Sequence, residues 1–322
     1  MPRLLLIFCV LAHAGAALAA DRYPVRPIRI VVTYVPGGNT DTAARLVAPY
    51  LTDHLGQQVI IDNRGGAGGV VGTEIAARAA PDGYTLLFGT SAGLTINPQL
   101  QPKLPYNVER DFAPISLLVI NPQLMVAYPG LPAKTVGEFL KLARAQPGRI
   151  NYASVGVGSP NHLGMELLKA MTGIDIVHVP YKGSAPAVLD VMAGTVSVFF
   201  SSIPVMLTHV KSGKLKALAV GSATRSPAAP EIPTVAESVP GFEYVTWYGL
   251  FVPSVTPRAI VARLNEAVVK SLRLPQLDQQ LRGQGSEPRP TSPEEAAKFM
   301  KAEHARWARA IKATGLAPRA NP

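Results

Sequence analysis

The sequence contains almost no cysteine. One cysteine, Cys9, stands among 322 residues, in an apolar stretch close to the start. The rest of the chain therefore offers no disulfide, no thiol nucleophile and no thiolate ligand for a metal. The H-x-x-x-H, H-E-x-x-H and calcium-loop spacings of common metal sites are missing as well. We therefore predict neither a metal site nor a cofactor.

Charged residues are scarce too. They make up 16% of the chain against 48% hydrophobic residues, which is typical of a well-buried globular protein rather than a disordered one. Lysine and arginine outnumber aspartate and glutamate by 31 to 21, which gives a net charge of +10. The basic residues are scattered rather than arranged in a stripe. The charge therefore favours a small anionic partner over nucleic acid.

Long apolar runs are absent after the first 20 residues. Residues 1–20 have the features of a secretory signal, with Arg3 as the positive charge, an apolar segment at 4–11 and small residues at 17–19. Nothing later approaches the length that spans a bilayer. Export without disulfides fits a bacterial periplasm better than a eukaryotic secretory route. We therefore expect a periplasmic protein that is released from its leader.

Strand and helix patterns alternate along the rest of the chain, which predicts mainly parallel sheets flanked by helices. A passage rich in proline near residues 98–114 interrupts the alternation, which then restarts. The predicted strands lie at 28–35, 58–62, 84–88, 123–128, 149–153, 174–179, 195–200, 217–220 and 244–252. The predicted helices lie at 40–55, 69–79, 136–145, 161–171, 185–193, 257–273 and 293–313.

Two glycines follow the first predicted strand. Gly37 and Gly38 let a ligand approach the backbone, and Asn39, Thr40 and Asp41 then begin a helix. The free N–H groups and the positive dipole end of that helix suit an anionic group. Without a ligand, the same residues would form a tight connection in which Thr40 caps the helix and Asp41 stabilises its dipole.

A second glycine loop follows a strand of the second half. Gly156, Gly158 and Ser159 lie between the strand and the next helix, and His162 stands in the first turn of that helix. His162 could bond a ligand or a nearby backbone group. Two such loops suggest a ligand held between two lobes.

Residues 89–93 match the G-x-S-x-G pattern of hydrolase nucleophiles, with Ser91 at a strand end. An exported serine hydrolase is therefore an alternative function. Residues 94–98 make a poor start to the long helix that such a nucleophile requires. The histidines at 162, 178, 209 and 304 stand outside an evident triad context.

An ordered set of short segments links the sequence to a known family. The set includes PGGNTD at 36–41, NRGGAGG at 63–69, NYASVGVGSPNH at 151–162, VHVPYKGSAPA at 177–187 and TWYGLFVP at 246–253. In this order the segments resemble the Bug-type solute receptors of tripartite tricarboxylate transporters. The resemblance covers essentially the whole chain after the leader. It implies a periplasmic binding protein that delivers a small organic carboxylate to a membrane permease and performs no chemistry.

The resemblance also implies the ligand contacts. It assigns them to residues 37–41 and 154–162 and to the strand end with Thr90 and Ser91. Asn39 stands where the family often has a small residue, and Ser201 and Ser202 stand where many relatives have an acidic one. Tyr181 and Trp247 are further candidates beside the cleft. The predicted ligand-binding residues are Gly37, Gly38, Asn39, Thr40, Asp41, Thr90, Ser91, Ser154, Gly156, Gly158, Ser159, His162, Tyr181, Ser201, Ser202 and Trp247.

We predict an α/β, two-lobed type II fold with the ligand cleft between the lobes. The C-terminal helices have no strands of their own to cover, so we expect them to pack on the first sheet. The chain would then cross between lobes near 121–124 and 237–244, giving one lobe from 21–122 plus 243–322 and another from 123–242. We expect a monomer. A ligand-sensing partner of a membrane signalling protein would have the same site.

Overall fold

The computed structural model describes residues 23–101 and 103–314, so the predicted leader lies outside the described residues. The first sheet begins with three parallel strands: β1 (Ile28–Val32), β2 (Val59–Asn63) and β3 (Thr85–Thr90). Helices α1 (Asn39–Leu55) and α2 (Val70–Ala77) connect them. The β-branched run of β1 is almost wholly buried, as expected for a strand covered on both faces. The predicted alternation in this part of the chain is confirmed.

Strand β4 (Phe112–Ala127) belongs to two sheets. Its first part, from Phe112 to Pro122, pairs antiparallel with β9 (Val245–Pro253) in the first sheet. Its second part pairs antiparallel with β7 (Val198–Ser202) and β8 (Lys216–Val220) in the second sheet. The sequence predicted only the second part as a strand. The first part contains prolines, which the sheet accommodates with irregular register at Pro114/Ser116 and at Leu117/Val119.

The second sheet adds β5 (Asn151–Ser154) and β6 (Val177–Pro180), which run parallel to each other, with β5 also parallel to β7. The strand order across the molecule is β2-β1-β3-β9-β4-β7-β5-β6, with β8 and the short β10 (Glu287–Pro288) both paired to β4. The helices that flank this sheet are α5 (Val136–Ala145), α6 (Pro160–Thr172), α7 (Ser184–Ala193) and α8 (Ile203–Lys211). The sequence predicted the first three of them but not α8. Two short helices, α3 (Asn97–Leu100) and α4 (Val108–Asp111), precede β4 in the chain and were not predicted either.

The C-terminal helices pack on both sheets. Helix α9 (Arg258–Leu272) contributes to the apolar core of the first sheet, as expected. Helix α10 (Pro275–Gly283), which the sequence did not predict, contributes to the same core. Helix α11 (Pro293–Thr314) differs from the expectation because its two halves enter different cores. Ala296 packs beside the first sheet, whereas Trp307 and Ala310 lie in the core of the second. None of the described helices is long and apolar enough to cross a membrane.

The packing of α11 predicts the effect of replacing Trp307 by a smaller residue. Trp307 is 1% exposed and its ring meets Tyr244 edge to face at 6.1 Å. Trp307→Ala removes a large apolar side chain from the core, so we expect the free energy of unfolding to fall by about 3–5 kcal/mol. Urea denaturation measures the loss. Lys298→Ala, an exposed position on the same helix, is the control and should stay within about 0.5 kcal/mol of wild type. Equal stability of the two variants would show that the end of α11 does not stabilise the fold.

Candidate functional site: a polar cavity between the two sheets

The parallel strands of the two sheets end at the same place. At the end of β3, Thr90 pairs with Tyr248 of β9, and at the end of β7, Ser202 pairs with Gln123 of β4. β4 passes between these two strand ends. Loops after the carboxyl ends of parallel strands are the usual ligand sites of open α/β sheets. The shared strand therefore brings two such ends to one cleft.

A cavity of about 430 Å³ occupies this cleft. Its wall combines residues of both sheets, and most of them have polar, uncharged side chains. Among the described residues that line it, none carries a charge. The lining consists of Asn39, Asn121, Gln123, Pro160, Asn161, Ser184, Ser201, Ser202, Pro204, Tyr244, Thr246, Tyr248, Gly283, Gln284, Gly285 and Ser286.

Four helices begin at this cavity. Asn39 starts α1, Pro160 starts α6, Ser184 starts α7, and Ser202 directly precedes α8. Helices α1, α7 and α8 have no side chain hydrogen-bonded to their first N–H groups. The first turn of a helix has donors without intrahelical partners and a partial positive charge. The cavity therefore suits an anion although no cationic side chain lines it.

A second cavity of about 590 Å³ lies between α11 and the segment before β4. Its wall is mainly apolar and includes Leu94, Phe112, Phe251 and Met300. It contains none of the residues predicted to bind a ligand. The smaller polar cavity is therefore the better candidate, because its lining can satisfy a hydrophilic ligand.

The first glycine loop is held by the carboxylate of Asp41. The N–H of Gly37 donates to Asp41 Oδ2 at 2.9 Å, Asn63 Nδ2 donates to Oδ1 at 2.9 Å, and Arg45 Nε donates to Oδ2 at 3.0 Å. Burial raises the pKa of Asp41, but the hydrogen bonds from Arg45, Gly37 and Asn63 outweigh burial and leave the pKa below its usual value. Asp41 therefore holds the loop and does not line the cavity, and its role as a ligand contact stays a prediction.

Only Asn39 of the predicted loop residues lines the cavity. Gly37 has φ +88°, which favours glycine, but Gly38 has φ −84° and ψ 169°, an extended conformation open to any residue. Thr40 is buried, and its Oγ1 donates to Tyr248 Oη at 3.4 Å. Thr40 therefore supports a cavity residue and does not line the cavity itself.

The second glycine loop is also braced from within. Ser154 Oγ accepts from the Gly156 N–H at 3.1 Å and lies 2.6 Å from Nε2 of His178. Ser159 Oγ donates to the Gly156 carbonyl at 2.6 Å, and Nδ1 of His162 accepts from the Gly158 N–H at 3.0 Å. His162 therefore satisfies the backbone, which was one of its two predicted roles. Within the predicted range 154–162, Pro160 and Asn161 line the cavity. The residues of this range that were named individually as contacts do not line it.

Stacked rings lie behind this second loop. The rings of His162 and His178 are 4.0 Å apart, and Tyr152 stacks on His178 at 5.0 Å. Burial lowers the pKa of His178, although the nearby Glu166 carboxylate acts in the opposite direction. The hydrogen bond between His178 and Ser154 holds the loop that carries Asn161 to the cavity.

The end of β3 does not have the geometry of a hydrolase nucleophile. Ser91 is 2% exposed, and its φ −52° and ψ −40° are those of an ordinary right-handed helix. A nucleophile elbow instead needs a strained turn that exposes the hydroxyl. The residues after Ser91 do form helical turns, at Ala92–Ile96 and Asn97–Leu100, which the sequence did not indicate. Thr90 is buried too, and its Oγ1 accepts from the Gly93 N–H at 3.2 Å. Neither hydroxyl lines the cavity.

Tyr181 and Trp247 do not line the cavity, and their side chains make contacts within the protein. Tyr181 Oη donates to Asp190 at 2.6 Å, and burial, together with that carboxylate, raises the pKa of Tyr181 to about 12. Trp247 is fully buried, and its Nε1 donates to Glu303 at 3.2 Å. Successive side chains of a strand point to opposite faces, so the next residue, Tyr248, lines the cavity instead.

Several lining residues were missed by the sequence analysis. Asn121 and Gln123 are isolated polar residues in the apolar run of β4, and this contrast could have identified them as candidate site residues. Gln123 Nε2 donates to Thr246 Oγ1 at 3.3 Å, and Ser286 Oγ donates to Asn121 Oδ1 at 2.6 Å. The turn at 283–286 had no local signal because it reaches the cavity only through the tertiary fold.

Two sheets joined by a shared strand, with a polar cavity at their strand ends, define a two-lobed solute-binding protein. The sequence profile of the tripartite tricarboxylate transporter family receptors (TctC) matches residues 43–316. The chain therefore belongs to the tripartite tricarboxylate transporter receptor family, and the resemblance noted from the sequence is confirmed.

Similar proteins support this assignment along nearly the whole length. The chain is 38% identical to protein BugT of Bordetella pertussis over 311 residues, which covers 96% of this chain and 95% of BugT. The structure of R. palustris Rpa4515 with adipate matches with a TM-score of 0.80 and 36% identity, over 92% of this chain and 100% of that one. MatC from Rhodopseudomonas palustris with bound malate matches with a TM-score of 0.74 and 35% identity, over 90% and 100%.

The brace at Asp41 predicts a pH-dependent stability. Because the pKa of Asp41 is lowered in the folded state, its stabilisation is present above the unfolded value near 3.8 and is lost as the pH falls through the folded value. Asp41→Asn should lower the free energy of unfolding by about 1.5–3 kcal/mol at neutral pH. The difference from wild type should shrink below pH 3.8. Urea denaturation across this range is the measurement.

Asp53→Asn is the matched control, since Asp53 is an exposed carboxylate on the same helix. It should leave stability nearly unchanged at every pH. A pH-independent loss in Asp41→Asn would contradict the ionic brace.

Proposed function

We propose that this protein captures a small organic carboxylate in the polar cavity and delivers it to the permease of a tripartite tricarboxylate transporter. The observation that carries the proposal is the convergence of helix starts on a neutral cavity, three of them without a side-chain cap. Main-chain N–H groups would hold the carboxylate, as helix N-termini do for other anions. Such a site needs no lysine or arginine.

The composition of the cavity lining also favours one kind of ligand group over another. A buried ammonium needs a carboxylate partner or several carbonyl groups, since an unpaired charge is costly away from water. The wall offers amides and hydroxyls, including Ser201 and Ser202, where the family resemblance implied an acidic residue in many relatives. A carboxylate without an amino group is therefore the favoured ligand. Its proposed side-chain contacts are Asn39, Asn161, Ser184, Ser202 and Tyr248.

The similar structures with adipate and with malate support a ligand of the dicarboxylate kind. Both ligands are short chains with an acid group at each end. A cavity of about 430 Å³ with donors on both lobes can hold such a molecule along its length.

The proposal also covers where the protein acts, how it acts and which residues form each lobe. The family description and the predicted leader support action in the periplasm as a receptor, without covalent chemistry on the ligand. The lobes would be 21–122 plus 243–322 and 123–242, with α11 packed on both. Ligand would favour closure of these lobes, because each of them supplies part of the wall.

Ligand binding should appear as stabilisation. A ligand that binds only the folded state stabilises it by RT ln(1 + [L]/Kd), about 2.7 kcal/mol at 100 times Kd. We expect adipate, malate or a related dicarboxylate to raise the melting temperature in a thermal-shift screen. The corresponding diamides are the matched controls and should have no effect, since they lack the anionic oxygens. A larger shift with amides or with amino acids would contradict carboxylate recognition.

A single charge at the cavity wall provides a second test. Ser202 directly precedes α8, and aspartate is favoured at this position of a helix, so Ser202→Asp should fold. Its carboxylate would repel an anionic ligand by about 3 kcal/mol at roughly 5 Å and an effective dielectric constant of about 20, which is on the order of a 100-fold loss of affinity. Isothermal titration calorimetry measures the affinity.

Thr135→Asp is the control for this charge, because Thr135 caps α5 and lies outside the cavity lining. It should bind ligand like wild type. Undiminished affinity in Ser202→Asp would place the carboxylate elsewhere.

A further inference from the structure

The turn before β10 touches the second lobe at the edge of the cavity. Residues 283–286 line the cavity, and so does Pro204, in the first turn of α8. A Cβ added to Gly285 would lie 2.3 Å from both Cγ and Cδ of Pro204. Carbon atoms that are not bonded pack at about 3.5–4.0 Å. The lobes can therefore approach to their present spacing only because residue 285 has no side chain.

The turn is anchored on one lobe while it contacts the other. Glu287 follows it in β10 and pairs with Ile120 of β4 in the first sheet. The carboxylate of Glu287 also accepts a hydrogen bond of 2.6 Å from Ser226 Oγ, and Ser226 belongs to the segment after β8. Ser226 is 2% exposed, so this contact lies inside the seam between the lobes. The first lobe thus meets the second at two adjacent points, Pro204 and Ser226.

We propose that Gly285 sets the spacing of the two lobes and thereby the length of ligand that the cavity accepts. A methyl group at residue 285 must push Pro204 away by more than about 1 Å to reach an ordinary contact distance. That movement widens the cavity beside the turn at residues 283–286. A short ligand that bridges the two lobes then loses contact with one of them, whereas a longer ligand still spans the gap. The part of this inference that concerns ligand length rests on the proposed function.

Spin-label distances test the spacing without any ligand. Cys9, the only cysteine of the sequence, is replaced by serine, and labels are attached to cysteines introduced at Asp53 on α1 and at Leu189 on α7. Both positions are exposed, and they lie on different lobes. We expect a longer mean distance in Gly285→Ala than in wild type.

Gly213→Ala is the control for backbone strain. Gly213 has φ +71° against +68° for Gly285, but an added Cβ there meets no atom within 4 Å. This variant has the same conformational cost and should keep the wild-type distance. Gly285→Ala with a distance equal to that of Gly213→Ala would overturn the proposal.

A double variant tests whether the contact with Pro204 causes the longer distance in Gly285→Ala. Alanine at residue 204 lacks the Cγ and Cδ atoms that the new methyl group would meet. Pro204→Ala with Gly285→Ala should therefore restore the wild-type distance, and failure to restore it would also overturn the proposal. If Gly285→Ala does not fold, the double variant is expected to fold, and two unfolded proteins would count against the contact.

Ligand length is measured with succinate, glutarate, adipate and pimelate by calorimetry. The affinity of Gly285→Ala for the shorter acids should fall at least tenfold more than its affinity for the longer ones, relative to Gly213→Ala. Equal losses along the series would contradict the effect on length. If none of the acids binds to the wild type, the proposed dicarboxylate ligand has failed. The label distances still decide whether Gly285 sets the spacing.

Discussion

The pairing of β4 with two sheets is the constraint on which the rest of the structure depends. One half of this strand is hydrogen-bonded to β9 and the other half to β7 and β8. Because a strand is straight over a few residues, its continuity fixes how the two sheets face each other. The strand ends of both sheets then open toward the same space. Asn121 and Gln123, on either side of the change of partner, become the floor of the cavity.

The loops at the cavity are held in place by side chains of the protein itself. Polar side chains that appear suited to a ligand are used within the protein: Asp41 holds the first glycine loop, and Ser154 with His178 holds the second. In the proposed mode of binding, loops fixed in this way present their backbone donors without rearrangement. Fixed donors cost less ordering on binding than flexible side chains would. Recognition by such donors depends on the backbone rather than on the identity of the loop side chains.

The sequence predicted most elements of the fold because local signals mark them. Helix α5 has the cap at Thr135, and α11 begins after Ser292 with a reciprocal hydrogen-bond pair to Glu295. The first half of β4 escaped prediction because its prolines are tolerated only where bulges relieve them. Which side chains reach the cavity was predicted less well. Trp247 and Tyr248 are adjacent in sequence, and only the pairing of β9 with both neighbours decides which of them faces the cavity.

The placement of the two tryptophans has an optical consequence. Trp247 and Trp307 are the only tryptophans of the sequence, and both are fully or almost fully buried. The first belongs to a strand of the first sheet and bonds Glu303 of α11, while the second fixes the end of α11 in the core of the second sheet. Burial raises the pKa of Glu303, and Arg306 beside it acts in the opposite direction. Any change in the angle between the sheets must alter the surroundings of at least one indole. Native tryptophan emission is therefore a built-in signal for lobe movement in this receptor, with no dye attached.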